Sequence, residues 1–330
     1  MNTLAERYAR LRLAVVGDFC LDRYLDIDPA RQERSLETGR IVHNVVRVRS
    51  QAGAAGTILN NLVALGVGEI HAVGFAGLDG EGFELRRALA ALPGVRLEHF
   101  FDAEEVRTFT YCKPLVLHPD GAPEELERLD SKNWQPTPDE LQDRLIRAVE
   151  VLTPRVDAFI LMDQVEVADT GTITRRLREA VAAVSQRRPA LLILADSRRG
   201  LHDFPPLTFK MNSNELRSLM GDCHNLEEVR HAATLAERNG RAVIVTLAEH
   251  GLLGAEPGGP VTHVPALPVR GPIDIVGAGD AVTANLAAAL AAGATLPEAL
   301  ALANAAASVV IHQLGTTGTA SLEQIQQLLR

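Results

Sequence analysis

The feature that most restricts the fold is an alternation in which short apolar runs, each closed by a turn signal, are followed by longer segments of helical period. Runs at Leu13–Val16, Ile70–Phe75, Ala158–Met162, Leu191–Ala195 and Val243–Leu247 are almost uniformly apolar. Strands of that kind need cover on both faces. The pattern therefore predicts an α/β fold, a three-layer αβα sandwich around a mainly parallel central sheet. Helical period predicts helices over Thr57–Leu65, Gly82–Leu92, Pro138–Val151, Thr170–Arg187, Leu226–Arg238, Ala278–Ala292, Pro297–His312 and Ser321–Leu329.

Two segments interrupt the alternation. Arg40–Arg49 and Leu97–Leu117 read as strands with no helix between them, and they predict a small antiparallel β lid built from insertions at about 24–50 and 96–130 of a single 1–330 domain, with an edge extension of the main sheet as the alternative. The Val- and Arg-rich first segment has an apolar face, which suits closure over a ligand or contact with a second copy, a homodimer through the lid.

Charge excludes one class of partner. Lys plus Arg is 33 against 42 for Asp plus Glu, a net of 33 − 42 = −9, so bulk nucleic-acid binding is not expected. Cys20, Cys112 and Cys223 form no CxxC pair and no even-numbered framework, which fits a reducing cytoplasm. The N-terminal MNTLAERYARLRLAVVGD lacks the apolar core of a signal peptide. Ala281–Ile311 is apolar but broken by Asn285, Gly293, Pro297, Glu298 and Asn304, so it reads as two packed helices and predicts no membrane association.

The lysines are Lys113, Lys132 and Lys210, and none follows a glycine, which rules out a P-loop. Gly66 and Gly68 precede a strand instead of following one, so a dinucleotide fingerprint is unsupported. The strongest local signal is Asp274-Ile275-Val276-Gly277-Ala278-Gly279-Asp280, which runs straight into a helix. Small residues there let backbone amides and a positive helix end approach an anion, and Asp280 in the first turn is placed to accept a proton from a hydroxyl beside it. Taken alone, the same residues also describe a tight turn with an acidic cap.

This heptad resembles the C-terminal signature of the ribokinase-like (PfkB) carbohydrate kinases. Val16-Gly17-Asp18-Phe19-Cys20-Leu21-Asp22 and Gly53-Ala54-Ala55-Gly56-Thr57 resemble the family's N-terminal motifs, and Met211-Asn212-Ser213-Asn214-Glu215 resembles its Asn-x-x-Glu. The resemblance implies an ATP- and Mg2+-dependent sugar kinase. Asp280 would be the base, and Gly277, Ala278 and Gly279 the anion hole. Asp22, Gly53, Thr57 and Asn61 would hold the acceptor. Arg198, Asn212, Thr246, Gly251 and Asn304 would surround the nucleotide, with Asn212 and Glu215 arranging magnesium through water. A monovalent cation beside Asp274 is left open.

Within the family, Gly17-Asp18, Leu21-Asp22-Arg23-Tyr24 and the spacing of Ser35–Gly39 to the clamp resemble the heptose-phosphate kinases. That implies a sugar or sugar phosphate acceptor, with heptose 7-phosphate as one candidate. The bifunctional members add a nucleotidyltransferase, which these 330 residues are not expected to supply. Two departures keep fructose, ribose or a nucleoside open as acceptors, and also a non-catalytic sugar- or nucleotide-binding regulator. The clamp has Ala54 and Thr57 where relatives have a second Gly and an Asn. Asp163-Gln164-Val165-Glu166 stands where the heptose kinases have Asp-Tyr-x-Lys.

Other features read as inert. His43, His71, His99 and His312 have no metal-ligand spacing. Cys20 reads as a buried hydrophobe in the loop after the first strand, Trp134 as a lid or surface anchor, and Arg175-Arg176-Leu177-Arg178 as a solvated helix face.

Overall fold

The computed structural model describes residues 3–118, 121, 123–221 and 228–330. Cys223 and the expected helix start at Leu226 lie outside the described residues. Strands run in chain order as β1 (Arg12–Gly17), β2 (Phe19–Ile27), β3 (Glu33–Arg34), β4 (Ile41–Val42), β5 (Val45–Ala54), β6 (Glu69–Gly77), β7 (Val95–Ala103) and β8 (Thr110–Val116). They continue as β9 (Glu124–Glu125), β10 (Ala158–Asp163), β11 (Leu192–Ser197), β12 (Thr208–Asn212), β13 (Val243–Thr246), β14 (Leu252–Ala255) and β15 (Thr262–Val264). The helices are α1 (Leu4–Tyr8), α2 (Ala55–Ala64), α3 (Gly80–Ala90), α4 (Asp139–Leu152), α5 (Arg175–Arg187), α6 (Ser213–Met220), α7 (Glu228–Asn239), α8 (Ala278–Ala291), α9 (Leu296–Val310) and α10 (Leu322–Leu328).

The large sheet has the order β15-β14-β13-β12-β11-β10-β1-β6-β7, parallel from β7 through β13 and antiparallel at β14. Alternation along β1 divides the core. Leu13 and Val15 pack with residues of α2, α8, α9 and α10 on one face, while Ala14 and Val16 pack with those of α4, α5 and α7 on the other. Both layers are thus covered, as uniformly apolar strands require.

Strand order reverses at β1, whose neighbours are β6 and β10. Such a switch point opens a crevice beyond the carboxyl ends of the strands. Asp163, Asn212 and Thr246 terminate β10, β12 and β13, and Asp196 stands one residue from the end of β11, so four polar side chains share that edge.

The second sheet has the order β5-β2-β8-β9, with antiparallel pairing at its two sides and parallel β2–β8 pairing at its centre. The two segments expected to pair with each other do not, because β2 lies between them. Phe19-Cys20-Leu21 continues the chain as strand with no turn after Gly17, so Cys20 sits in β2 and not in a loop. The first half of the second segment also goes elsewhere. Val95–Ala103 pairs with β6 as the edge of the large sheet, and its alternating exposure is that of a strand covered on one face. At the outer end of β5, Val45, Val46 and Val48 are each close to half exposed.

The helix expected from Thr170 begins at Arg175. The amide of Thr172 donates to the Asp18 carboxylate at 2.6 Å, and the Thr174 hydroxyl caps Leu177, so residues 170–174 are held as a loop.

Candidate active site

Helix α8 starts at Gly277, whose left-handed φ of 84° lets the chain turn sharply into the helix with no side-chain cap. The Ala278 amide closes this turn on the Ile275 carbonyl at 3.2 Å. Among the described residues nothing accepts a hydrogen bond from the Gly277, Gly279 or Asp280 amides. Of the three amides expected to form an anion hole, those of Gly277 and Gly279 are free and that of Ala278 is engaged, while the Asp280 amide is free as well. Uncapped amides at a positive helix end suit a phosphoryl group.

Beneath this turn lies a network that sequence reading missed. Lys210, buried in the middle of β12, places its Nζ 2.7 Å from Asp196 Oδ2. A Cβ on Gly279 would stand 3.3 Å from the same Nζ, so the ammonium group rests against the helix start. The Thr283 hydroxyl lies 2.9 Å from Asp196 Oδ2 and 3.0 Å from the Gly279 carbonyl. Burial alone would depress Lys210, but Asp196, Asp280 and Glu215 outweigh it and hold the lysine charged. The sequence signal was a lone lysine inside the strand TFKMN, where an unpaired charge is too costly to bury.

Asp280 keeps an opening to the cleft, yet its carboxyl is crowded by protein. Burial pushes it up to about 7, Asp196 adds to the rise, Lys210 opposes it and Asp22 contributes a little more. A carboxyl poised near neutrality is the state a general base needs.

Asp22 faces the same cleft from β2, beside its ladder partners Gln51 and Tyr111. Burial raises it, against the pull of Lys113 and Arg128. A Cβ on Gly53 would meet Asp22 Oδ2 at 2.6 Å, so a side chain there would displace the Asp22 carboxyl. Ala54 occupies φ 52°, ψ −116°, a region open to glycine and strained for alanine. We expect Ala54→Gly to raise stability by about 1 kcal/mol in urea unfolding, and an unchanged or lower midpoint would contradict the strain.

The remaining expected acceptor residues differ in placement. Thr57 is buried with an unpartnered hydroxyl. Asn61 sits one turn further along α2, where its amide donates to the Thr57 carbonyl at 3.0 Å and the Gly318 carbonyl at 3.4 Å. It ties α2 to the 313–320 loop. Gln51, also missed, makes a similar tie. Its amide donates to Thr317 Oγ1 at 2.7 Å, and Thr317 packs against Gly277.

On the nucleotide side, Asn212 and Glu215 form a reciprocal capping box at the start of α6, with Glu215 N to Asn212 Oδ1 at 2.9 Å and Asn212 N to Glu215 Oε2 at 2.7 Å. The cap holds both side chains at the carboxyl edge of the sheet. Glu215 is raised by burial first, and Asp196 adds to that. No group of three or more metal-ligating side chains occurs among the described residues. One or two carboxylates at such an edge fit Mg2+, which keeps most of its waters and is shared with nucleotide phosphates.

Thr246 ends β13, with its hydroxyl 3.4 Å from the Met211 carbonyl. Gly251, at φ 93°, has no room for a side chain, as a Cβ would meet the Val264 carbonyl at 2.1 Å. The Asn304 amide donates to the Pro265 carbonyl at 2.9 Å and anchors the loop before the heptad. Arg198 directly follows β11, and its guanidinium lies 3.8 Å from Glu166. Asp274 accepts from the Val276 and Gly315 amides at 3.0 and 3.2 Å, bracing the turn.

Known proteins resemble this chain in sequence and in fold. The pattern of the "pfkB family carbohydrate kinase" matches residues 182–323, and the Bifunctional protein HldE of Azotobacter vinelandii is 32% identical over 339 residues, covering 100% of this chain and 66% of that protein. The chain belongs to the pfkB family. A second Bifunctional protein HldE, from Bradyrhizobium sp., is 30% identical over 99% of the chain and 65% of its own length, so the chain spans just under two thirds of these relatives. Solved structures extend the likeness of fold. Arabidopsis thaliana ribokinase, complexed with ribose and ATP, matches with a TM-score of 0.69 at 21% identity, covering 97% of this chain and 99% of that one. Escherichia coli phosphofructokinase-2, in complex with substrates and products, gives 0.73 at 18%, covering 96% and 98%. The pfkB fold is thus present from the first strand to the last helix, and no described helix is long and apolar enough to cross a membrane.

Proposed function

We propose that this pfkB-family chain is an ATP-dependent sugar kinase that transfers the γ-phosphoryl group to a hydroxyl of a sugar or sugar phosphate, with heptose 7-phosphate among the candidates. The observation that carries the reading is the juxtaposition of a carboxyl poised near 7, Asp280, with free amides at the start of α8 and the Lys210 ammonium behind them. A base, an oxyanion cradle and a cation directed at one point describe in-line phosphoryl transfer.

Asp22 would orient the acceptor hydroxyls, and Asp280 would position the attacking hydroxyl and take its proton as charge develops. The Gly277, Gly279 and Asp280 amides would hold the equatorial oxygens in transit. Magnesium, when bound near Asn212 and Glu215, would neutralise charge across the nucleotide phosphates. Thr246, Gly251 and Asn304 would border the nucleotide, and the four-stranded sheet would close as a lid that excludes water. The exposed valines of β5 would meet their counterparts in a homodimer, and a monomer by light scattering at micromolar concentration would remove that part.

The reading is tested by coupled ADP release with ATP and Mg2+ against sugars, sugar phosphates and nucleosides. Acceptor-dependent release that is lost in the D280N protein is expected. No release with any acceptor, while ligand still binds by calorimetry, would overturn the kinase.

A further inference from the structure

The loop from Gln313 to Ala320 bridges the two halves of the site. It is rigid within itself, because the Gln313 amide donates to the Thr319 carbonyl at 2.7 Å while its oxygen accepts from the Thr319 amide at 3.1 Å. One side of the loop is joined to the turn that opens α8. The Gly315 amide donates to Asp274 at 3.2 Å, and Thr317 packs so closely that a Cβ on Gly277 would lie 3.3 Å from its own Cβ. The other side is joined to the acceptor elements, through Asn61 of α2 at the Gly318 carbonyl and through Gln51 of β5.

Gln51 makes the tighter of these two ties. Its Nε2 donates to Thr317 Oγ1 at 2.7 Å and its Oε1 accepts from Thr316 Oγ1 at 3.2 Å, so consecutive threonines grip both ends of one amide. Two bonds to a planar amide fix its rotation as well as its distance. Gln51 is also the ladder partner of Asp22 and stands two residues before Gly53, whose bare backbone leaves room for the Asp22 carboxyl. Neither element needs this clasp to hold its own shape. Strand β5 is paired with β2 from Val45 to Ala54, and the loop is closed on itself by Gln313. What the clasp fixes is the position of one against the other. From the Asp22 strand to the Gly277 turn, the path is one ladder pair, one hydrogen bond and one packing contact.

We propose that Gln51 is a positioning residue: by clasping Thr316 and Thr317 it holds the Gly277 turn in register with the acceptor seated at Asp22. It acts on transfer through Thr317, not by touching the acceptor. The inference rests on the sugar-kinase reading and adds to it a residue that ties the acceptor strand to the phosphoryl cradle. In-line transfer is sensitive to displacements well below the length of a bond, so a slack clasp slows the step without weakening the binding of either substrate.

The test is a double-mutant cycle on turnover, read as coupled ADP release with ATP, Mg2+ and the sugar or sugar phosphate that the parent phosphorylates fastest, at equal folded fraction. Gln51→Ala removes the clasp from one side. Thr317→Val removes it from the other while keeping the bulk that rests on Gly277. Each is expected to lower kcat about tenfold with the acceptor KM near that of the parent. The double variant is expected at the same level as the singles, because the second change removes a bond already broken. Parental kcat in either single variant, or effects that multiply to about a hundredfold in the double, would overturn the proposal. A raised acceptor KM in Gln51→Ala with Thr317→Val indistinguishable from the parent would make Gln51 a direct acceptor contact and overturn it as well. Thr317→Val leaves Gln51 in place, so its kcat decides the matter even where Gln51→Ala fails to fold. A parent inert with every acceptor removes the kinase reading and the clasp with it, whereas an active parent whose variants multiply removes the clasp alone.

Discussion

Asp280→Asn is expected to lower kcat by about 10² to 10⁴ fold while leaving acceptor and nucleotide affinities near those of the parent. The amide keeps the shape of the side chain but cannot take a proton. In the parent, the carboxyl titrates at about 7. The base must be ionised to act, so kcat/KM is expected to fall about tenfold for each pH unit below that value and to level off above it. Stability should move the other way. A carboxyl whose pKa rises on folding, here to about 7, destabilises the native state increasingly above the ordinary carboxylate value of about 4. That cost is complete once pH passes the folded value. The D280N protein should therefore unfold at higher urea than the parent at pH 8 and at the same concentration at pH 4. A D280N enzyme within tenfold of parent kcat would remove Asp280 from the role of base. Equal midpoints at pH 8 would show that the crowding by Asp196 and Asp22 is not felt.

The layered sheet was legible because its strands are apolar on both faces, and the pattern of β1 alone sends Leu13 and Val15 to one core and Ala14 and Val16 to the other. What resisted was the second sheet. β2 follows β1 with only Asp18 between them, and no turn residue announces that the chain has left one sheet for another. Val95–Ala103 alternates as a lid strand would, but an edge strand of the main sheet covered on one face alternates in the same way. Periodicity cannot separate the two cases.

For the candidate site, Asp22, Asn212, Glu215 and Asp280 could be nominated from the sequence because each belongs to a local motif of contiguous residues. Lys210, Thr283 and Gln51 were not, since each acts through a partner distant in the chain. Lys210 meets Asp196 across adjacent strands, Thr283 meets Asp196 from a helix, and Gln51 meets Thr317 over most of the chain's length. The set of free amides differs from the three expected for a finer reason. Which N–H groups stay free in a tight turn depends on where its carbonyls point, and Ile275 captures Ala278.

Lys210→Met tests the part of the site that only the fold brings together. The substitution is expected to destabilise the protein by about 3 to 5 kcal/mol, because it leaves Asp196 buried without a counter-charge. Lys210 also holds Asp280 down against burial and Asp196, so any residual activity should show its acid limb above 7. Loss of activity alone would not separate a catalytic role from a structural one. Asp196→Asn combined with Lys210→Met removes both charges, and the pair should recover most of the lost stability, since a neutral pair costs far less to bury than a lone carboxylate. Turnover is compared against Asp196→Asn alone, which keeps the Lys210 amine at Gly279 with Asp280 and Glu215 still favouring its charged form. If the ammonium stabilises the phosphoryl group in transit, the double variant should be slower in kcat than the single one by about 10² fold, at equal folded fraction. Equal kcat in the two would make Lys210 only the counter-ion of Asp196, and the cradle would then be built from the amides of Gly277, Gly279 and Asp280 alone.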